Sequence, residues 1–287
     1  MTTARRSLLC LAIAVFPLWT GAQESLKDLD TPYVPTPQAV VDRMLELARL
    51  KAGETVIDLG SGDGRIMIEA ASKYGARGFG VEIDPRLVAL SSENAAKAGV
   101  ADRVKFLQQD LFKTDFHEAD VLTLYLLPDV NLALRPKILA ELKPGSRVVS
   151  HDYGMGDWPP DVQETIPAPD KKVGARKESQ VYLWTVPANV GGDWNFGLSS
   201  GTKSKTTRLV LKQSFQVVSG TVELTGKGNV RFTQGRVSGD ELRLTLPAGA
   251  IGRGPVEMVG RASGDTLAGT LRRAGREVAK WNASRRP

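Results

Sequence analysis

Apolar residues recur along this chain with two different periods, and the change from one to the other divides it. Past a polar, proline-punctuated stretch ending in Pro32-Tyr33-Val34-Pro35-Thr36-Pro37, the residues Val40, Val41, Met44, Leu45 and Ala48 return at helical spacing. Thr36 suits an N-cap and Pro37 a first helical position, so the pattern predicts a helix from residue 37 to about 50. Compact apolar runs then alternate with helical ones. The runs Thr55–Leu59, Gly78–Ile83, Val104–Gln108, Val121–Leu126 and Arg147–Tyr153 read as buried strands, and Arg65–Tyr74, Pro85–Ala98 and Pro136–Leu142 as helices. Asp84-Pro85 and Gly99 bracket the second of these helices with suitable cap chemistry. Alternation with short connections predicts an α/β domain built on a doubly wound parallel sheet.

The alternation stops after Tyr153. Val162–Ile166 and Gln180–Val186, joined by the charged loop Asp170–Glu178, read as a hairpin that closes the sheet with antiparallel strands. Beyond Pro187 the chain turns to Gly, Ser, Thr and Arg with short alternating runs, among them Arg208–Leu211, Phe215–Val218, Thr221–Leu224, Glu241–Leu246 and Val256–Val259. The string Gly235-Arg236-Val237-Ser238-Gly239-Asp240-Glu241-Leu242 returns as Gly260-Arg261-Ala262-Ser263-Gly264-Asp265-Thr266-Leu267, which predicts successive hairpins turning at Ser-Gly-Asp. Residues 188–287 are therefore expected to form a small all-β meander or barrel, with Phe196, Phe215, Phe232, Trp194 and Trp281 in strand positions that favour core packing.

Composition narrows the chemistry. Of 287 residues 41% are hydrophobic, enough for two cores without metal or disulfide help. One cysteine, Cys10, and two histidines argue against a metal centre, and none is expected. Residues 1–22 carry two arginines, then an apolar run from Leu8 to Leu18 and small residues up to Ala22, the pattern of a cleavable export signal. Arg5-Arg6-Ser7-Leu8-Leu9 is similar to a twin-arginine core, and the competing reading is an uncleaved interfacial anchor. The expected location is thus the periplasm or the exterior, with residues 23–36 as an N-terminal lid segment and 37–187 as the α/β domain. The net charge of +6 is unevenly spread. Residues 23–187 hold 20 basic and 25 acidic groups, whereas residues 188–287 hold 16 basic and 7 acidic ones. The basic excess lies in the β region, where a solvated basic face is the first reading, an anionic envelope component as partner the next and nucleic acid the last.

The chemically informative string is Val56-Ile57-Asp58-Leu59-Gly60-Ser61-Gly62-Asp63-Gly64-Arg65. A buried strand delivers Asp58, and glycines let the backbone turn tightly against a ligand before a helix begins. The spacing differs from a dinucleotide fingerprint, and carboxylates on both sides would repel a diphosphate. They suit a cationic ligand, and the ligand implied is S-adenosyl-L-methionine. Glu82, closing the next strand, is placed to accept hydrogen bonds from ribose hydroxyls. Asp110, closing the third, can take the adenine amino group while its neighbour Leu111 packs the ring.

At these residues the sequence resembles the class I S-adenosylmethionine-dependent methyltransferases, a Rossmann-like fold, over residues 31–187. Tyr33-Val34-Pro35-Thr36-Pro37, the Asp58–Arg65 string and Arg147-Val148-Val149-Ser150 look most like the seven-β-strand protein lysine methyltransferases, in particular the mitochondrial enzymes acting on the adenine nucleotide carrier and the ATP synthase c subunit. The resemblance implies a methyltransferase acting on a protein lysine. It implies that Tyr33 and Thr36 close over the methionine moiety, that Asp58, Gly60, Ser61, Gly62, Asp63 and Gly64 hold its polar end, and that Glu82 and Asp110 hold the nucleoside. Methyl transfer needs alignment more than a fixed triad. Tyr125 is a candidate to present its hydroxyl or carbonyl to an amine, and Asp129 or His151 to accept a proton; for each, a loop or capping role is the competing reading. A different class of function also fits: an exported nucleoside-ligand-binding protein whose basic β domain serves as an envelope adaptor.

Overall fold

The computed structural model describes residues 32–200 and 203–287. The proposed export signal at 1–22 and most of the lid segment lie outside the described residues. Five strands, β1 (Thr55–Leu59), β2 (Arg77–Glu82), β3 (Val104–Gln108), β4 (Val121–Leu124) and β5 (Arg147–His151), run parallel. The hairpin β6 (Val162–Pro167) and β7 (Glu178–Thr185) completes a seven-stranded sheet in the order β3-β2-β1-β4-β5-β7-β6, with β7 antiparallel to β5. Chain order reverses between β1 and β4, and open α/β sheets bind ligands beyond the strand ends at such a point.

Helices cover both faces because every central strand is buried on both sides. α1 (Gln38–Leu47), α2 (Arg65–Tyr74) and α3 (Pro85–Lys97) share one core with Val56, Val104, Val121 and Val149. α4 (Pro128–Glu141) packs on the other face with Ile57, Leu122, Leu124 and Val148. Two helix starts differ from expectation. α1 begins at Gln38 with Pro37 at the cap position, so Thr36 does not cap it and its hydroxyl turns to His151, 3.3 Å away. α4 begins at Pro128, not at Pro136, which lies inside it. Pro136 is exposed, and the carbonyl it leaves without a helical donor belongs to the exposed Leu132, where water can serve.

Residues 192–285 close into an eight-stranded antiparallel barrel: β8 (Gly192–Ser200), β9 (Lys203–Ser214), β10 (Val217–Leu224), β11 (Gly228–Ser238), β12 (Glu241–Leu246), β13 (Val256–Ser263), β14 (Thr266–Arg273) and β15 (Arg276–Arg285), with β15 paired to β8. The strands are longer than the sequence pattern predicts. Phe215–Val218 and Thr221–Leu224, read as two runs, belong to one turn and one strand: Phe215 is the left-handed turn residue before β10 (φ 52°), and β10 continues through an irregularity at Gly220. The two Ser-Gly-Asp copies do form two-residue hairpin turns, with Gly239 and Gly264 at φ 58° and 55°, the position at which type II′ turns take glycine. Trp194, Phe196, Phe232 and Trp281 fill the barrel interior. Trp281 lies against Gly260, where a Cβ would sit 2.2 Å from its ring.

Phe215 instead leaves the barrel and stacks on Trp158 of the α/β domain, with centroids 5.9 Å apart. Next to it Gln216 is buried; it accepts from the Trp158 indole at 3.0 Å and donates to the Pro159 carbonyl at 2.6 Å. An Arg236–Asp161 ion pair and the bond from Ala188 N–H to the Gly239 carbonyl complete this joint.

Candidate active site

A cavity of about 700 Å³ opens beyond the carboxyl ends of β1, β2 and β4. Ten of the residues expected to hold a cofactor line it: Tyr33, Thr36, Asp58, Gly60, Ser61, Gly62, Asp63, Glu82, Asp110 and Leu111. Gly64 stands behind the loop instead. It starts α2 in a left-handed conformation (φ 82°), and a Cβ there would strike Phe106 and Ser91. Gly62 (φ 54°) lets the Tyr33 ring lie against the loop, since a Cβ would meet that ring at 2.7 Å.

The polar floor is built by neighbouring strands. Asp58 is 2% exposed and receives the Thr123 hydroxyl at 2.6 Å across the β1–β4 pair. Burial pushes its carboxyl up to about 7, opposed by the Thr123 hydrogen bond and helped by the negative charges of Glu82 and Asp63. No cation pairs with it in an ion pair among the described residues. Ser61 presents a buried hydroxyl with no hydrogen-bond partner. An ammonium or sulfonium in the cavity would offset the cost of ionising Asp58, and a polar ligand would satisfy Ser61. Glu82 is held rigid by three backbone N–H groups, from Gly62 at 3.1 Å, Ile83 at 2.8 Å and Asp84 at 3.1 Å. Asp110 accepts from Phe112 N–H at 2.9 Å, which sets Leu111 and Phe112 on the cavity wall.

Arg65 received no role from the sequence, although it ends the glycine string. Its guanidinium grips Asp63 at 2.5 and 2.9 Å and donates to the Thr36 carbonyl at 2.7 Å, so it ties the lid to the loop.

The wall opposite the nucleoside end carries Tyr125, just past β4. Burial and the Asp152 charge hold its phenol well above the ordinary value, which keeps it a hydrogen-bond donor. Behind it, His151 stacks against the Tyr125 ring at 3.8 Å and is fully buried, with Nδ1 facing Thr36 and Nε2 facing Ser179 at 2.9 Å. Burial holds its pKa down to about 4, against the pull of Asp152. With both nitrogens engaged and no cavity exposure, His151 braces the lid against β7, and the expected role of proton acceptor does not fit this placement. Asp129 is exposed in the first turn of α4, where it complements the helix dipole, and it does not line the cavity. The sequence reading placed Asp152 in the substrate-side stretch Ser150-His151-Asp152-Tyr153 after the fifth strand but gave it no role of its own. It has a left-handed backbone (φ 62°), and its Oδ2 lies 2.7 Å from Lys171 Nζ.

Known proteins are similar to this chain over its α/β part. The family model described as the ANTKMT methyltransferase domain matches residues 58–162. A protein-lysine N-methyltransferase of Saccharolobus islandicus is 42% identical over 156 residues, covering 54% of this chain and 93% of that protein. The adenine nucleotide translocase lysine N-methyltransferase of Mus musculus is 35% identical over 154 residues, covering 52% of this chain and 66% of that enzyme, just under two thirds of its length. Among solved structures, an RNA methyltransferase of Salinibacter ruber in complex with S-adenosyl-L-homocysteine is 53% identical, covers 55% of this chain and 96% of its own, and gives a TM-score of 0.49. The barrel lies beyond the family match.

Proposed function

Since the chain belongs to the family of its archaeal relative, the S-adenosylmethionine-dependent protein lysine methyltransferases, we propose that it transfers a methyl group to a lysine ε-amine of a protein. The observation that carries this reading is the buried Asp58 carboxylate at the cavity floor, which lacks a protein cation and suits the charged methionine end of the cofactor. The cofactor supplies an electrophilic methyl on a sulfonium. Asp58 and Ser61 hold its amino acid end, Glu82 takes the ribose hydroxyls, and Asp110 with Leu111 holds the base. Tyr33, drawn down on Gly62, and Thr36, tied through Arg65, exclude water from the methyl.

On the acceptor side, Tyr125 donates a hydrogen bond and orients the incoming amine for in-line attack. Its phenol is held too high to act as a base, so the acceptor ammonium gives its proton to solvent after it docks and before attack. Calorimetry with S-adenosyl-L-homocysteine should give one site per chain, and labelled S-adenosyl-L-methionine should mark a protein acceptor on lysine. Binding without transfer to any acceptor would favour the binding-protein reading instead.

Two wider proposals join this. The arginines and apolar run of residues 1–22 support export to the periplasm, which sequencing the mature amino terminus in cell fractions tests directly. The barrel supports an anionic envelope partner. At its rim toward the α/β domain, Asp240 and Asp265 pair with Arg261 and Arg285, whereas at the far rim no ion pair engages Lys227, Arg253, Arg272 or Arg276 among the described residues. Co-sedimentation with vesicles containing anionic lipid, reversed by salt, is the expected outcome.

A further inference from the structure

Asp152 sits at the end of β5 in a backbone conformation that an aspartate adopts at some cost. The neighbouring strand holds it there. Asp152 N–H donates to the Gln180 carbonyl at 2.7 Å, and Gln180 N–H returns a bond to Asp152 Oδ1 at 3.1 Å. One carboxylate oxygen is therefore committed to the fold. The other, Oδ2, faces three groups: the Lys171 ammonium at 2.7 Å, His151 Nε2 at 3.4 Å and the Tyr125 hydroxyl at 3.5 Å. Tyr125 lines the cofactor cavity, so Oδ2 lies one side chain behind the wall where an acceptor must arrive.

The group on Oδ2 is itself a primary ammonium on a four-carbon stem. Lys171 leaves only 12% of its side chain exposed, and its Nζ also donates to the Glu178 carbonyl at 2.8 Å. It is carried by the loop between β6 and β7, whose following residues 172–177 are all exposed. Little apolar burial resists movement of that loop.

We propose that Asp152 Oδ2 with the Tyr125 hydroxyl forms the subsite for the acceptor ammonium, and that Lys171 occupies it in cis until an acceptor lysine displaces it. The inference rests on the lysine methyltransferase reading. An incoming lysine offers Asp152 the same charge and the same donors, so the exchange sacrifices only the docked loop. A tethered competitor acts at an effective concentration of roughly millimolar. Free lysine side chains are thereby screened out unless the rest of the acceptor adds contacts of its own.

The test uses the full chain saturated with S-adenosyl-L-homocysteine and n-butylammonium chloride as probe, followed by NMR titration. Lys171→Met should bind n-butylammonium roughly tenfold more tightly than the parent protein, by removal of the tethered competitor. Adding Asp152→Asn to that variant should abolish the gain, while S-adenosyl-L-homocysteine binding persists in both. Lys171→Gln serves as the second substitution if the methionine variant does not fold. Equal n-butylammonium affinity with and without Lys171, or a gain that survives Asp152→Asn, would overturn the proposal; so would a fall in Tm with no gain in affinity, the mark of a purely structural ion pair. Loss of S-adenosyl-L-homocysteine binding by the parent protein would instead strike at the methyltransferase reading.

Discussion

Asp58 sets function against stability. In the free protein its carboxyl titrates at about 7 when folded but at its ordinary 3.8 when unfolded, so the unfolded chain gives up the proton first. Its contribution to stability therefore falls as pH rises from about 4 to about 7. His151 acts in the opposite sense. Held down to about 4 in the fold from an ordinary 6.5, it is protonated first in the unfolded chain, and its contribution is lost as pH falls through that window. Asp58→Asn removes the Asp58 slope and keeps the opposing one of His151. Its Tm should climb more steeply with pH between about 4 and 6.5 than that of the parent protein, and should lie above it at about pH 8. The same variant should bind S-adenosyl-L-homocysteine roughly ten- to a hundredfold more weakly, because a charge-assisted contact is gone. In the parent protein that affinity should rise with pH until Asp58 ionises and then level off. A second test concerns the lid: Gly62→Ala places a methyl 2.7 Å from the Tyr33 ring, so cofactor affinity should fall, and should fall much less when Tyr33 is already alanine.

At the scale of elements, legibility depended on whether a signal was local. Asp84 caps α3 with a bond to Arg86 N–H at 2.8 Å, and Gly239 and Gly264 turn their hairpins; each is a decision made within a few residues, and each was readable. The glycine string likewise pointed to residues that line the cavity, because its loop follows its strand directly. The pairing of Asp152 with Lys171 was not readable, since β7 brings together groups nineteen residues apart by pairing with β5. Phe215 misled for a related reason: its apolar side chain serves Trp158 in the other domain and not the barrel. Pro136 misled because proline favours a helix start, and here Pro128 already supplies one. Its interior position gives a test. Pro136 is exposed, so Pro136→Ala removes no core contact and restores a donor for the Leu132 carbonyl. After the lost rigidity of the unfolded chain is set against this, the variant should gain about 1 kcal/mol in urea unfolding with cofactor affinity unchanged.

The whole molecule depends on how two separately built cores are joined. The Saccharolobus islandicus relative matches over 156 residues, which are 93% of its own length and 54% of this chain, so it is too short to carry both domains. In this chain the face around Trp158 and Trp184 is nonetheless closed by Phe215, with Arg135 lying 5.4 Å from the Phe215 ring on the outer side. Gln216 makes that closure specific, because its amide meets a donor and an acceptor of the other domain at once. Gln216→Ala would leave the Trp158 indole N–H and the Pro159 carbonyl without partners in a buried joint, at a cost of about 1–3 kcal/mol. The loss falls on the coupling between the domains, and both cores and the cofactor cavity stay intact. Scanning calorimetry should then resolve two unfolding transitions where the parent protein gives one, and S-adenosyl-L-homocysteine should raise only the transition of the α/β domain. If both transitions rise together with ligand, the joint has remained tight and Gln216 is not what holds it.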